Sequence, residues 1–371
     1  MSGSAGKLKH AVNLLRFCFG AETPSVGPLR VQWDVTYKCN SRCRHCHRWE
    51  DNRTSTPDLT FEEGRVLISE LAASGTINLS FAGNEPLLRE DIFDLVALAN
   101  DQGLVTNLNS NGLLVNERAA RQLCKAGLDM IYLSLDGATP ETHDSIRGIV
   151  GSFNRVWGAV ELLRRARGNA LRPRIMINTV LNRENHRQIT AIAQACRKNG
   201  VDGLLVQPIH NVEEQFEASD ELRITKGQVP EINRQMADLI RDYSDLTPLM
   251  SEYYQQFDTF YRSPGTLYRY RCLAAYATVD VRPNGDIVPC PTWNERLGNV
   301  REDGSFPAVW NSSTANRLRN RIRLGQHPIC WFACVVPMNL IVHSVKTGRL
   351  DRVLRPQLLA HVLRKVGKRD G

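Results

Sequence analysis

Short apolar runs alternate with longer amphipathic segments along the first 210 residues of the chain. Runs rich in valine, isoleucine and leucine predict strands, and apolar residues spaced three or four apart predict helices. Strands are predicted over Val31–Thr36, Ile77–Phe81, Leu104–Leu108, Met130–Leu135, Arg174–Leu181 and Gly203–Gln207. Helices are predicted over Leu8–Phe19, Phe61–Ala73, Asp91–Gln102, Asn116–Ala126, Phe153–Arg167 and His186–Asn199.

This order of strands and helices favours an α/β fold with a parallel sheet and right-handed crossovers. Gly75, Gly103, Gly127 and Gly200 each stand between a helix and the next strand, where a left-handed helix cap is expected. The expected architecture is a partial (β/α)6 barrel whose βα loops gather at one mouth. Candidate chemistry should therefore lie at the carboxyl ends of the strands.

The pattern changes in the last third of the chain. After a helix predicted over Gln228–Tyr243, Tyr276–Val281 and Ile287–Val288 are expected to form a β-hairpin that turns at Asn284-Gly285. We place a domain boundary between about residues 245 and 271. The chain is expected to comprise an N-terminal helical extension at 1–30, a barrel core at 31–245, a small auxiliary domain at 246–340 and a basic tail at 341–371.

Charge is concentrated towards the C-terminus. Lysine and arginine number 47 against 39 aspartate and glutamate residues, which gives a formal net charge of +8. The basic tail has apolar residues at near-helical spacing, so we predict an element that docks on the protein, with membrane contact as the alternative. No nucleic-acid partner is expected. Because no stretch approaches 18 apolar residues and no signal-peptide cleavage site is evident, we expect a cytoplasmic location.

The ten cysteines are clustered rather than spread evenly. Cys39, Cys43 and Cys46 have the spacing C-x3-C-x2-C. Three thiolates on one loop can ligate three irons of a cubane and leave the fourth iron open. Zinc is the alternative, because it usually takes four protein ligands and His45 or His47 could supply one. In a long intracellular chain, clustered cysteines favour metal binding over disulfides.

The segment Val35–Cys46 resembles the signature of the radical S-adenosylmethionine (radical SAM) superfamily, in which this spacing follows the first strand. The resemblance extends over about residues 31–210. It implies that Cys39, Cys43 and Cys46 are the catalytic residues, which hold a [4Fe–4S] cluster that binds SAM. Such a cluster needs an electron donor, for example a flavodoxin or a ferredoxin.

The loop Phe81–Leu87 is similar to the family's Gly-Gly-Glu-Pro loop and implies that Glu85 pairs with the ammonium group of SAM. Asn84 replaces the second glycine of that pattern, and asparagine tolerates a positive φ better than most residues. Weaker resemblances suggest that Asn178, Asn182 and Gln207 lie near the adenosyl group. A plain turn or cap remains the alternative for such loops.

Two further loops resemble the family at strand ends. Asn109–Gly112 is similar to its Asn-Gly loop and implies that Ser110 and Asn111 bind the cofactor. The block that begins at Ser134 and ends at Arg147 is similar to its Ser-Leu-Asp-Gly…His-Asp…Arg pattern. It implies that Ser134 faces SAM and that Arg147 binds the SAM carboxylate.

A second group of cysteines lies in the C-terminal region, at Cys272, Cys290, Cys330 and Cys334. The group resembles the auxiliary-cluster region called SPASM, or its short form, twitch. It implies a second [4Fe–4S] cluster with all four cysteines as ligands. Zinc is again the alternative, since four cysteines also suit a structural zinc site.

The resemblance implies an enzyme that cleaves SAM reductively to a 5′-deoxyadenosyl radical and abstracts hydrogen from a C–H bond. We expect oxidation or another modification of a specialised small molecule or sugar. A peptide maturase is the alternative, less favoured because no winged-helix segment is recognisable before residue 31. An epimerase is a further alternative, with Cys18, Cys124 or Cys196 as the thiol donor. A zinc-binding protein that contacts nucleic acid is the most distant one.

Overall fold

A computed structural model describes residues 2–50, 57–212, 216–217, 220–248 and 250–349. The N-terminal half begins with helix α1 and then alternates strands and helices. Its elements are α1 Ser2–Cys18, β1 Arg30–Asp34, α2 Phe61–Ala73, β2 Asn78–Ala82, α3 Ile92–Asp101, β3 Val105–Ser110, α4 Glu117–Lys125, β4 Met130–Ser134, α5 Pro140–Arg147, α6 Ser152–Arg167, β5 Arg174–Leu181, α7 Ile189–Lys198 and β6 Gly203–Pro208.

The C-terminal half is mainly helical, with a short hairpin that joins the main sheet. Its elements are β7 Asn211–Val212, β8 Phe216–Glu217, α8 Val229–Asp242, α9 Ser251–Gln255, α10 Phe257–Arg262, β9 Thr278–Val281, β10 Asp286–Val288, β11 Gly298–Asn299, α11 Phe306–Trp310, α12 Ser313–Arg323 and α13 Val336–Thr347.

Six parallel strands, β1 to β6, make up most of a nine-stranded sheet with the order β11-β10-β9-β1-β2-β3-β4-β5-β6. The described strands do not close into a barrel, because β6 and β11 are left at opposite edges. This confirms the α/β class and the partial (β/α)6 barrel expected from the sequence. The carboxyl ends of β1 to β6 meet along one rim, where the sequence placed its candidate loops.

Most predicted elements lie within two residues of the observed ones. The four inter-element glycines have φ values between +66° and +89°, as expected for left-handed caps. Helix α7 starts three residues later than predicted, because Asn185 holds residues 182–188 in a turn by accepting a hydrogen bond from Asn182 N at 2.8 Å. The helix α5 was not predicted; it begins at Pro140 behind a Thr139 cap.

The two faces of the sheet differ in polarity. The outer face carries apolar side chains such as Trp33 and Phe81, and helix α2 packs closely on it. A Cβ on Gly64 would lie 2.5 Å from the Trp33 ring, so only glycine allows this approach. The inner face instead carries a row of carboxamides: Gln32, Asn78, Asn107, Asn109, Asn178 and Gln207.

The C-terminal half continues the same sheet. Strand β9 pairs with β1 in parallel, and β10 returns antiparallel to β9, as the predicted hairpin requires. Helix α13 spans the expected boundary at residue 340, and the predicted tail element from residue 350 lies outside the described residues. Among the described residues, we find no helix with the length and apolar character needed to span a membrane.

Candidate active site with two cysteine sets

The first cysteine set, Cys39, Cys43 and Cys46, lies on the loop that follows β1 and packs against the end of α5. The amide of Arg42 donates to the Arg147 carbonyl at 3.3 Å, and the amide of Arg44 donates to the Ile146 carbonyl at 2.9 Å. These two hydrogen bonds fix the loop to α5.

Gly148 makes this contact possible. It caps α5 with φ +67°, and a Cβ there would lie 2.3 Å from the Arg42 carbonyl oxygen. An L-residue would be strained by the left-handed backbone and would also collide with the cysteine loop.

The three thiols of the first set influence one another. Burial raises the pKa of Cys43 to about 12, and Cys46 and Cys39 add to the shift. Burial also raises the pKa of Cys39, with Glu85 and Cys46 contributing. The amide of Ser41 donates to Cys39 Sγ at 3.4 Å. A thiol must lose its proton when it binds metal, so the positive charge of a bound metal has to overcome these raised pKa values.

Glu85 is fully buried at the end of β2, next to the cysteine loop. Its carboxylate accepts hydrogen bonds from the Leu87 amide at 3.1 Å, from Ser110 Oγ at 2.9 Å and from the Asn111 amide at 2.8 Å. Burial raises its pKa despite these donors. Asn111 Nδ2 in turn donates to Asn40 Oδ1 at 2.7 Å. The structure thus brings three predicted cofactor residues together beside the first cysteine set.

Arg147 lies at the opposite side of the cysteine loop and is largely buried. Its guanidinium pairs with Asp136 Oδ2 at 3.1 Å, and Asp136 is fully buried. Burial by itself would raise the pKa of Asp136, but the charge of Arg147 brings it below the usual range. Ser134, two residues before Asp136, ends β4 on the inner face of the sheet. The structure therefore places Arg147 beside the first set, with Asp136 as its partner.

Asn84, the residue that departs from the family pattern, has a role in the loop. The positive φ falls on Gly83, at +104°, and not on Asn84. The Asn84 amide donates to the Tyr37 carbonyl at 2.5 Å and to the Arg48 carbonyl at 3.1 Å. These acceptors flank the cysteine loop, so Asn84 ties its two ends together.

The second cysteine set, Cys272, Cys290, Cys330 and Cys334, comes from distant parts of the C-terminal region. Burial raises the pKa of all four thiols, that of Cys272 to about 12. The thiols of Cys272, Cys330 and Cys334 are also affected by others of the set. Thr292 Oγ1 lies 3.2 Å from Cys290 Sγ. The fold therefore gathers four partly buried cysteines that are separated in sequence.

Aromatic side chains hold the segment between Cys330 and Cys334. Tyr253 stacks on Trp331, its hydroxyl donates to the Trp331 carbonyl at 2.8 Å, and the indole donates back to the Tyr253 carbonyl at 3.0 Å. His210, just beyond β6, accepts from the Trp331 amide at 2.7 Å. Sequence reasoning missed His210 and Tyr253, which no local motif marks.

A buried ionic cluster lies between the two cysteine sets. Asp34 accepts from Arg48 at 2.5 Å and from Arg282 at 2.9 Å. Burial would raise the pKa of Asp34, yet the two guanidinium groups lower it. Gln32 donates to Asp34 and to Asp280, both at 3.2 Å. Burial, with the nearby Asp34 charge, raises the pKa of Asp280 to about 7.

A cavity of about 500 Å³ lies between the inner face of the sheet and the segment that carries Cys334. Asn178 and Gln207, which the sequence placed near the adenosyl group, line it together with Tyr132. Asn182 instead forms a turn, donating to the Val180 carbonyl at 3.1 Å. The alternation of polar and apolar residues in the strands could have indicated this polar inner face.

The donor atoms of both sets fit iron–sulfur clusters. The first set offers three thiols beside a buried carboxylate, which leaves one iron free for a cofactor, and the second set offers four thiols. No three histidine, cysteine, aspartate or glutamate side chains within the described ranges are arranged as a site for a single metal ion.

Comparison with known families agrees with this geometry. The radical SAM superfamily model matches residues 33–206, and the model of the SPASM iron–sulfur cluster-binding domain matches residues 272–335. The first implies a [4Fe–4S] cluster and SAM, and the second implies auxiliary iron–sulfur binding. The second match therefore favours iron–sulfur over the zinc alternative.

Named relatives cover different shares of the chain. An AdoMet-dependent heme synthase of Methanosarcina barkeri is 33% identical over 47% of this chain and 48% of its own length. A PqqA peptide cyclase of Bradyrhizobium diazoefficiens is 25% identical over 81% of this chain and 77% of its own length. The chain thus spans about half of the first relative and about three quarters of the second.

Solved structures show the same fold at low identity. Streptococcus suis SuiB bound to the precursor peptide SuiA superposes with a TM-score of 0.64 and 18% identity, over 84% of this chain and 71% of that chain. AdoMet-bound anSMEcpe gives a TM-score of 0.60 and 15% identity, over 91% of this chain and 100% of that chain. The chain therefore carries a radical SAM domain over residues 33–206 and a C-terminal iron–sulfur cluster-binding region of the SPASM type over residues 272–335.

Proposed function

We propose that the chain oxidises a peptide substrate at a C–H bond in the cavity between its two cysteine sets. The position of that cavity is the main support for the proposal, because the inner face of the barrel and the Cys334 segment both line it. The relative named for a peptide substrate supports it by spanning 81% of the chain, and so both domains. The sequence alone had favoured a small molecule.

The residues of the chain have separate tasks in this proposal. Cys39, Cys43 and Cys46 would hold the first cluster, and Glu85 would bind the SAM ammonium group through a charge-assisted hydrogen bond. When bound, the reduced cluster and SAM supply reductive cleavage of SAM and abstraction of hydrogen from a C–H bond. The chain orients the substrate and excludes water, for example by covering the cavity with Phe332.

Arg147 would act at the same site. Its side chain is largely buried beside the cysteine loop, where a positive charge favours thiolate over thiol. We also assign Arg147 to the SAM carboxylate. Its guanidinium would then bind both that carboxylate and Asp136. Ser134 would face the cofactor from the end of β4.

The second set would accept the electron that the substrate radical loses, together with a proton, to give the oxidised product. Four cysteine ligands leave no iron open for substrate, so electron transfer suits this cluster better than substrate binding. An epimerase would instead need a thiol at the cavity. Cys18, Cys124 and Cys196 are all described, and none of them lines it.

A second candidate is a reaction in heme synthesis, favoured by the 33% identity to the AdoMet-dependent heme synthase over 173 residues. That match covers only 47% of this chain. The two candidates differ in substrate and not in the chemistry of the first cysteine set.

The test is anaerobic turnover of the reconstituted, dithionite-reduced chain with SAM. Peptides encoded by neighbouring genes form one arm and porphyrin intermediates the other, with products analysed by mass spectrometry. We expect 5′-deoxyadenosine from SAM, and a peptide that has lost two hydrogens. Intact clusters without 5′-deoxyadenosine would refute the function, and a modified porphyrin with unmodified peptides would support the second candidate instead.

A further inference from the structure

The cavity contains polar groups that neither cysteine set uses. Arg30 is the first residue of β1 and Asp34 is the last, so Arg30 lies about 13 Å from the carboxyl end of that strand. The first cysteine set and Glu85 are at that carboxyl end. Arg30 therefore lines a deeper part of the cavity, next to the Cys334 segment.

Arg30 has little to neutralise it. Its Nη1 donates to the Cys334 carbonyl at 2.5 Å, and within the described part of the chain it makes no ion pair with a carboxylate. The nearby Asp34 pairs with the guanidinium groups of Arg48 and Arg282. Asp280 is affected by the charges of the same two groups and of Arg30. Three cations thus oppose two carboxylates, and positive charge remains at the cavity wall.

Asn107 presents an unused acceptor to the same cavity. Asn78 donates through Nδ2 to the Val105 carbonyl at 3.0 Å, so its Oδ1 is left to accept from Asn107 Nδ2 at 3.2 Å. In this orientation, Asn107 Oδ1 is buried and has no hydrogen-bond partner among the described residues. The residue as a whole is only 6% exposed. Asn178 Oδ1 is buried and unpartnered as well. Such atoms are costly unless a ligand or water donates to them.

Tyr132 adds a hydroxyl between these groups. It lines the cavity, and no described residue forms a hydrogen bond with its hydroxyl. Burial raises the pKa of Tyr132, although the charges of Arg30 and Arg174 oppose the shift. A neutral hydroxyl can donate to an anion.

We propose that this part of the cavity is a subsite for a substrate carboxylate, which Arg30 and Tyr132 bind while Asn107 and Asn178 accept from N–H or O–H groups beside it. The assignment rests on the proposed function, because it places the acidic group of a peptide in the cavity where that function places the substrate. The carboxylate can come from an acidic side chain or from the peptide's C-terminus. Guanidinium binds either one through paired hydrogen bonds.

The test uses three tripeptide probes and the anaerobically reconstituted full chain with SAM. N-acetyl-Ala-Glu-Ala-amide carries a side-chain carboxylate, N-acetyl-Ala-Gln-Ala carries only a terminal one, and N-acetyl-Ala-Gln-Ala-amide carries none. Affinity is measured by calorimetric titration. We expect one acidic probe to bind about tenfold more tightly than the neutral probe, and the preferred arm identifies the source of the carboxylate.

Variants test the residues. Arg30→Gln should remove the tenfold preference, Arg30→Lys should restore part of it, and Tyr132→Phe should reduce it several-fold. Tyr132→Phe guards against misfolding because no described residue forms a hydrogen bond with the Tyr132 hydroxyl. Arg65→Gln, which replaces an exposed arginine on α2, is the matched control.

Two results would overturn the subsite: no preference in the wild-type chain, or an unchanged preference in both Arg30→Gln and Tyr132→Phe. A shifted potential of the second cluster in Arg30→Gln with unchanged probe affinity would assign Arg30 to that cluster and also overturn it. SAM cleavage by the wild-type chain is measured on the same sample. Cleavage without probe preference refutes the subsite alone, and absence of cleavage refutes the proposed function.

Discussion

The two cysteine sets are built in opposite ways. The first comes from eight consecutive residues, 39–46, and is held from outside by the end of α5 and by Asn84. The second comes from four positions between 272 and 334, and is held by the packing of Tyr253 and Trp331. The first lies beside Glu85, and the second is also held from the barrel, by His210 and by Arg30. The difference teaches that one loop is enough to build the first site beside its carboxylate, whereas the second site depends on the tertiary fold to bring distant cysteines together.

The largest effect is expected from removing a ligand of the first set. Cys43→Ala leaves two thiols, which cannot hold a site-differentiated cubane. We expect SAM cleavage to be abolished and about four irons to be lost, measured as 5′-deoxyadenosine and as iron per chain. Cys124→Ala is the control, because Cys124 lies in α4 away from the cavity. Residual cleavage in Cys43→Ala would contradict the assignment.

The next effect concerns the open side of the first set. Glu85→Ala removes the carboxylate proposed to bind the SAM ammonium, worth about 1.5–3 kcal/mol for a charged hydrogen bond, or about 10- to 100-fold in Kd. Equilibrium dialysis with SAM measures the affinity. Ser110→Ala removes one hydrogen bond to Glu85 and keeps the carboxylate charge, so it should weaken SAM binding much less. An unchanged Kd in Glu85→Ala would remove Glu85 from the site.

The contact between the first set and α5 can be broken at one glycine. Gly148→Ala adds the cost of a left-handed L-residue, about 1–2 kcal/mol, to a collision with Arg42. Gly151→Ala is a matched control, because Gly151 has φ +79° and no atom within 4 Å of an added Cβ. Iron content and urea unfolding should show first-cluster loss only in Gly148→Ala. Equal effects of the two variants would argue against the docking contact.

The smallest effect is a pH dependence near the first set. Burial lowers the pKa of His143 to about 4, and its Nδ1 accepts from the Asp136 amide at 3.0 Å. The unfolded chain, with a histidine pKa near 6.5, binds a proton first as pH falls. This contribution to stability is therefore complete above about pH 6.5 and declines towards pH 4, by at most about 1.4 kcal/mol per pH unit.

Urea unfolding of the anaerobic protein at pH 7.5 and pH 5.5 measures this dependence. His143→Gln should show a smaller loss of stability between the two pH values than the wild-type chain. Acid loss of the clusters affects both proteins, so it cancels in the difference. An identical pH dependence would show that His143 is not buried in its neutral form.

The two sets also differ in how far the sequence predicted them. The first set and Glu85 lie in contiguous motifs at strand ends, so spacing and strand order sufficed to predict that they lie together. The partner of Arg147 was missed, because Asp136 was seen only as part of a motif. The supports of the second set, such as His210, belong to other elements, and only the tertiary fold brings them near. Asn107 was missed because its burial depends on Asn78 in another strand.

The most direct test of two clusters with different roles is the double variant Cys290→Ala/Cys334→Ala. Iron per chain and 5′-deoxyadenosine formation are measured on it and on the wild-type chain after anaerobic reconstitution. We expect a fall from about eight irons to about four, retained SAM cleavage and no oxidised product. Zinc at this site in the wild-type chain, or full formation of the oxidised product by the double variant, would contradict the account.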